Sequence, residues 1–278
     1  MPTVKRIVKR TSETDSIESK IHPISEMSEE GITGLFYGKP GTGKTAFGST
    51  WPKPLLLLDI QEKGAQTIKK VEGIDRILID SWEEAEKIYW WLEKKKRNYA
   101  SIQLDQITQL QDLAMTMVKA DNNKEDEDLI SKRMWGQISG MVKKTILQFR
   151  DLRTMGYNVC FLAHERHMSG DDEAEDNQID PSVGPRLMPS LSAFAGGAVD
   201  IIGHTFIRET IEKDVKKTRK IDYCMRLGPH ASYTTKIRVP YGEGFKVPGV
   251  LVNPTFEKVM RISRGETATT PIVKKVKR

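Results

Sequence analysis

This sequence predicts an α/β fold: a mostly parallel central sheet with helices on both faces and a C-terminal antiparallel extension. Three observations carry that expectation. Short apolar runs, of which Pro54 to Asp59 and Asn158 to Ala163 are the clearest, alternate with stretches of helical spacing through the first half of the chain. Those runs are apolar at consecutive positions, as in strands covered on both faces, and their alternation with helices favours parallel neighbours. Beyond residue 196 the pattern changes. Ala198 to Arg208, Ile221 to Leu227 and Lys236 to Val239 are β-like and separated by charged or Gly/Pro turns, which suits an antiparallel addition to the same sheet.

The elements follow in order. Residues 1–30 are polar and rich in Ser, Glu, Lys and Thr, and read as a mobile N-terminal arm. Strands are expected at Ile32 to Tyr37, Pro54 to Asp59, Arg76 to Ile79 and Tyr99 to Leu104. Glu83 to Lys96 carries Ala85, Ile88, Tyr89 and Leu92 at helical spacing. Further helices are expected at Ile107 to Val118 and Ile138 to Met155, before the strand from Asn158 to Ala163. One folded domain then spans 31–262, and 263–278 form a basic tail. The acidic segments Asp121 to Asp128 and Asp171 to Asp180 read as solvent loops, and no internal repeat is present.

Charge is unevenly placed. The 278 residues carry a net +6, but residues 1–10 hold +4 and residues 261–278 hold +5, leaving −3 for the stretch between. Basic ends of this kind suit polyanionic partners. The longest aliphatic run is only Leu55 to Leu58, so no membrane association is expected, and no apolar signal segment follows the N-terminal charges. Cys160 and Cys224 are too few for a disulfide framework or a tetrahedral metal site, so a reducing cytoplasm is the expected location.

The strongest motif is Gly38-Lys39-Pro40-Gly41-Thr42-Gly43-Lys44-Thr45, which satisfies G-x-x-x-x-G-K-[ST] between a strand and a helix-compatible segment. Glycines let successive backbone N–H groups turn inward around a phosphate without Cβ clashes. In this pattern Lys44 reaches the β- and γ-phosphates and the Thr45 hydroxyl holds Mg²⁺. A nucleoside triphosphate, ATP with Mg²⁺, is the expected ligand. Hydrolysis needs in addition an acid for the metal's water shell and a group that orients the attacking water. Asp80 and Asp105, both at strand ends, compete for the first role. Asp59, Gln61 and Glu62 leave a buried strand, with Glu62 the carboxylate available beside Asp59 for the second. His164 ends another apolar strand and is placed to sense a γ-phosphate, since ligands of open α/β sheets bind beyond the carboxyl ends of the strands.

The order of these landmarks, with Leu162-Ala163-His164-Glu165-Arg166 and the late Tyr233-Thr234-Thr235-Lys236-Ile237-Arg238, resembles the phage RecA-like ATPases linked to single-strand annealing and recombination, the Sak-four group. The resemblance covers roughly residues 32–240 and implies a RecA-like P-loop NTPase core. It implies Asp105 as the Walker B acid, which makes Asp80 an ordinary strand-end residue, and His164 as the nucleotide sensor. Lys236 and Arg238 are implied to act in trans on a neighbour's γ-phosphate, supplying positive charge in the transition state. The active unit implied is a homo-oligomeric ring or filament. The family's usual acid is replaced here by Gln61, with Glu62 one residue further on. Lys132, Arg133 and Trp135, and Arg166 and Arg186, flank the two acidic segments where such relatives contact DNA; a Trp beside two bases suits stacking and phosphate contact.

The leading expectation is therefore a DNA-stimulated ATPase acting on single-stranded DNA in recombination or annealing, in the host cytoplasm if phage-encoded. A helicase or helicase-loader motor is the first alternative. The other is a nucleotide-controlled oligomeric binding module that recruits a single-strand DNA-binding protein.

Overall fold

The computed structural model describes residues 21, 23, 30–125, 127–167, 183–211, 219–240 and 247–266, and the account below concerns Gly31 onward. Its strands are β1 (Thr33–Gly38), β2 (Leu55–Ile60), β3 (Ile74–Ile79), β4 (Ser101–Asp105), β5 (Asn158–His167), β6 (Val183–Pro185), β7 (Ile201–Ile211), β8 (Arg219–Arg226), β9 (Lys236–Ile237) and β10 (Leu251–Val252). Helices are α1 (Lys44–Gly48), α2 (Trp82–Glu93), α3 (Ile107–Asp121), α4 (Lys132–Asp151), α5 (Pro189–Ala198) and α6 (Phe256–Ser263). The strands form one sheet in the order β10-β8-β7-β1-β5-β4-β2-β3, with β6 added to β5 and β9 to β7. Every pairing from β7 across to β3 is parallel. The pairings of β8, β10, β6 and β9 are antiparallel. The expected fold class is the observed one.

Alternation along the strands explains the continuous apolar runs. Leu35 and Tyr37 of β1, Leu56 and Leu58 of β2, and Phe161 and Ala163 of β5 pack on one face with Leu110, Ala114, Ile138, Val142 and Phe149 from α3 and α4. Phe36, Leu55, Leu57, Cys160 and Leu162 face the other way, against Phe47, Trp51, Val259 and Ile262. Strands buried on both faces cannot show a polar–apolar alternation. Both cysteines are unpaired and buried.

Capping sets several helix starts. Ser81 accepts from the Glu84 amide at α2, Ser131 from the Met134 amide at α4, and Thr255 from the Lys258 amide at α6. The α4 cap places the helix start at Lys132, six residues before the Ile138 expected from apolar spacing, so Lys132, Arg133 and Trp135 lie on its first turn. Its expected last turn, Leu152 to Met155, is a separate 3-10 segment.

Other boundaries also differ from expectation. Strand β5 runs through His164 to His167, because β6 pairs with Glu165, Arg166 and His167 and satisfies their backbone groups. Helix α5 ends on Ala198, the first residue of the stretch expected to be β-like, and the strand starts at Ile201; Pro189 at the helix's first turn initiates it, while Gly196 and Gly197 dilute the helical signal. Helix α6 ends at Ser263, so the first residue of the expected tail belongs to the fold. The expected arm (apart from residues 21, 23 and 30), the acidic segment Asp171 to Asp180 and residues 267–278 lie outside the described residues. The other acidic segment begins on the last residue of α3, and of its described residues, 121–125 and 127 are exposed while Asp128 is half-buried.

Asp200, at the amino end of β7, ties three elements together. Its carboxylate accepts from the Thr33 amide (3.0 Å) and hydroxyl (2.8 Å) and from Arg153, and pairs with Arg238 at 2.7 Å. Asp200→Ala should lower the unfolding free energy by about 3 kcal/mol, because buried donors lose a charged acceptor. Arg238→Ala should cost under about 1 kcal/mol, since that side chain is 60% exposed. Urea unfolding of both variants checks the contrast.

Candidate nucleotide-binding site

The glycine-rich segment joins the carboxyl end of β1 to α1, in the middle of the sheet between β5 and β7. Two glycines are required there by geometry. A Cβ on Gly38 would lie 2.3 Å from the Thr205 carbonyl oxygen of β7. Gly43 has φ of 83°, and its Cβ would come within 2.9 Å of the Tyr223 ring. Thr42 closes the loop, its hydroxyl donating to the Lys39 carbonyl and sharing a 2.8 Å hydrogen bond with Thr205. Helix α1 spans only five residues, so the anion cradle consists of loop amides and Lys44 more than of a long helix dipole.

Lys44 is buried, and its ammonium donates to the carbonyls of Gly38 (2.9 Å) and Lys39 (3.0 Å). Burial lowers its pKa, against the opposing pull of Asp105, Glu62 and Glu165. A buried ammonium held by carbonyls alone is well matched to anionic oxygens entering the loop. Thr45 donates from its hydroxyl to Asp105 Oδ2 at 2.8 Å. Burial pushes the Asp105 carboxyl up to about 6, with the Thr45 hydrogen bond acting against it and Asp59 and Glu62 adding to it. A hydroxyl and a carboxylate placed this way fit Mg²⁺, which takes one or two protein oxygens together with phosphate oxygens and water. When bound, the ion supplies charge neutralisation between the phosphates.

The two strand-end acids occupy different surroundings. Asp105 ends β4 in contact with Thr45, whereas Asp80 lies past the end of the edge strand β3, where its amide donates to Glu84. Asp59 is enclosed in a pair with Arg76 (2.7 Å) and accepts from the Lys63 amide, so it braces the end of β2. Gln61 adopts a left-handed φ of 60°, and the Glu62 amide turns back to the Ile60 carbonyl. That turn carries Glu62 into the cavity of the phosphate loop. There its carboxylate accepts from Gln106 (3.1 Å) and Gln109 (2.8 Å), and meets His164 Nε2 at 2.6 Å. Since a carboxylate only accepts, His164 Nε2 is the donor in that hydrogen bond. The Thr108 hydroxyl and the His164 amide, 3.1 Å apart, fix the backbone beside it.

Lys39, Pro40, Gly41, Thr42, Gly43, Lys44, Thr45, Glu62, Asp105 and His164 thus gather at the carboxyl edge of the sheet. Lys236 and Arg238 do not join them within the chain. Lys236 lies level with Leu35, three residues before Gly38, about 10 Å back along the strands. Its ammonium donates to the Gly196 and Val199 carbonyls at the end of α5, while Arg238 pairs with Asp200.

Spacing in the sequence did not indicate a further group beside the loop. Glu165 bridges Lys39 (3.8 Å) to the buried His204 (3.1 Å), whose Nδ1 accepts from Arg226. Tyr233 stacks on His204, its ring centroid 4.5 Å away. Burial lowers the His204 pKa, with Glu165 opposing it and Arg226 reinforcing it. Tyr223, Asn253, Pro254 and Thr255 also line the phosphate-loop cavity and come from β8 and the turn before α6.

A protein-family profile described as an AAA domain matches residues 30–239. The chain belongs to that family. The phosphate loop, Asp105, Glu62 and His164 all fall within the matched span of this AAA domain, which carries a nucleotide-binding P-loop core. No curated protein matches it. Among solved structures, one similar chain is the flagellar accessory protein FlaH from Methanocaldococcus jannaschii, at 12% identity and a TM-score of 0.38 over 81% of this chain and 91% of that one. No helix among the described residues is long and apolar enough to cross a membrane.

Proposed function

We propose that this AAA domain is an ATP-hydrolysing RecA-like protein that acts on single-stranded DNA in recombination or annealing. The observation that carries the ATPase reading is the Glu62–His164 contact in the same cavity as Lys44 and Thr45. Glu62 is held by three donors at a fixed orientation, which suits a carboxylate that positions and deprotonates an attacking water. His164 bonds to that carboxylate from β5, so a change at the phosphate end is felt by the strand that continues into Glu165 and Arg166. In this reading Mg²⁺ is held through Thr45 and Asp105, and the nucleotide is ATP.

The reading toward DNA is supported by a second cavity at the same edge of the sheet. It measures about 590 Å³ and is lined by Trp135, Arg166, Arg186 and Met188, among others. Trp135 is 38% exposed, so its ring is available for contact. An aromatic face with two guanidinium groups matches stacked bases and a phosphodiester backbone. Arg166 lies two residues from His164 on the same strand, which connects this cavity to the nucleotide site.

Assembly as a ring or filament, with Arg238 or Lys236 meeting a neighbour's nucleotide, belongs to the same proposal, as does recruitment of a single-strand DNA-binding protein by the basic ends. ATP turnover measured with and without single-stranded DNA, alongside the mass of the assembled species, tests it. Single-stranded DNA should raise turnover, and Trp135→Ala should weaken DNA binding about tenfold while leaving DNA-free turnover within about twofold. Turnover indifferent to DNA would remove the recombination reading and leave the nucleotide site intact.

A further inference from the structure

The phosphate-loop cavity, about 630 Å³ in volume, has two chemically different ends. One holds Glu62, Gln106 and His164; the other is walled by Tyr223, Asn253 and Pro254. We propose that the second end is a nucleobase subsite, in which the Tyr223 ring stacks on a purine and the Asn253 amide hydrogen-bonds to the base edge. This rests on the phosphate loop binding a nucleoside triphosphate, and adds which part of that ligand is selected and by which residues.

Tyr223 is 46% exposed despite its size, and its ring closes against Gly43, whose own Cβ would stand 2.9 Å from Cδ1. Pairing of β8 with β7 sets Tyr223 opposite Ile207, two residues beyond Thr205, which pairs with Gly38 at the start of the loop. The flank of β8 therefore rises beside the phosphate cradle and presents a flat aromatic face there. Stacking on an aromatic side chain is available to any base and is greatest for the larger ring of a purine.

Asn253 is tied to the same position. Its amide N–H donates to the Tyr223 carbonyl at 2.7 Å, and its φ of 47° is one that asparagine tolerates better than most residues. Its side-chain amide makes no hydrogen bond among the described residues, so a donor and an acceptor remain available to a base edge. The same donor–acceptor pair allows asparagine to bond adenine bidentately.

The platform is held from behind. The Thr50 hydroxyl accepts from the Phe256 amide at 2.9 Å, and the Phe256 ring packs on Trp51 with centroids 4.8 Å apart. Lys258 donates to the carbonyls of Val252 and Asn253. Because Thr50 and Trp51 lie in the turn two and three residues past the end of α1, the segment that carries Asn253 is anchored beside the helix of the phosphate loop. The spacing between the phosphate and base ends is therefore set within one rigid unit, which is the condition for selecting a ligand by both ends.

Calorimetric titration with ATP, GTP, CTP and inorganic tripolyphosphate tests the proposal. Wild-type protein should bind the purine nucleotides more tightly than CTP or tripolyphosphate. Tyr223→Ala should weaken ATP binding about tenfold and Tyr223→Phe should retain it, with the affinity for tripolyphosphate unchanged in both. Asn253→Ala should narrow the preference for ATP over CTP. Equal losses for ATP and tripolyphosphate would overturn the subsite and make Tyr223 a support of the loop. Unchanged ATP binding in Tyr223→Ala would also overturn it. Wild-type protein that binds tripolyphosphate as tightly as ATP would remove the subsite alone, whereas protein that binds neither would remove the phosphate site beneath it.

Discussion

Lys44→Ala should abolish nucleotide turnover to within assay limits, a loss of at least about 10²-fold, and should weaken binding of ATP and of inorganic tripolyphosphate alike. The expectation follows from the position of the ammonium. It is buried, donates to the Gly38 and Lys39 carbonyls, and has its charged form disfavoured by burial. Anionic oxygens in the loop reverse that penalty, so the lysine gains from the ligand what desolvation removes. Alanine leaves the loop amides in place and removes the one charge they surround. Lys44→Met keeps the methylene packing and should show the same loss, which separates charge from folding. Thermal unfolding of both variants within a few degrees of wild type would confirm that the loop is intact. Full activity in Lys44→Met would mean that phosphate binds elsewhere.

Glu62→Gln carries the second large effect. Turnover should fall about 10²- to 10⁴-fold, the usual contribution of a positioned general base, while ATP affinity changes less than about threefold. The substitution keeps the side-chain volume, so the loss reports the carboxylate's charge and basicity. Single-turnover kinetics with a parallel binding titration distinguishes the two quantities. Equal turnover in Glu62→Gln would return the carboxylate to a structural role, as a brace between His164, Gln106 and Gln109. His164→Ala should have a smaller effect on chemistry, because it acts through Glu62, and should free that carboxylate to reorient.

Glu62 also shows where sequence reasoning runs out. Its residue type and its place after a buried strand were visible, yet the usual acid position holds Gln61. Only the left-handed turn at Gln61 shows that Glu62 reaches the cavity, because a one-residue shift after a strand ordinarily sends a side chain to the opposite side. Asp105 and Asp80 both read as strand-end acids, and only the family resemblance favoured Asp105. The sheet order separates them, since β4 lies beside β5 near the phosphate loop and β3 lies at the edge. Neighbourhood across a parallel sheet is not written in local spacing.

The late elements were harder still. Helix α5 was obscured by glycine and small residues, and α6 by its position beside a basic segment. Their consequences reach the site: α5 ends on the carbonyls that hold Lys236, and the turn before α6 supplies Asn253 and Thr255 to the cavity. Tyr223 and Asn253 are ordinary residues in sequence, and nothing in their spacing links them to a motif some 180–210 residues earlier. Likewise Glu165 and His204 meet only because β5 and β7 flank β1.

The amino-acid sequence by itself determined the α/β class, the parallel core with its antiparallel addition, and the phosphate loop. These depend on local quantities: the period of apolar residues, the freedom of glycine, and a lysine and a hydroxyl at fixed offsets. The tertiary structure alone decided which acid meets Thr45, how Glu62 and His164 come together, and what walls the far end of the cavity. Those contacts join residues far apart in the chain, 102 positions for Glu62 and His164 and 206 for Thr50 and Phe256, and depend on strand order and a single backbone turn. Local pattern specifies the elements, whereas the packing of two buried faces specifies which of their ends share a site.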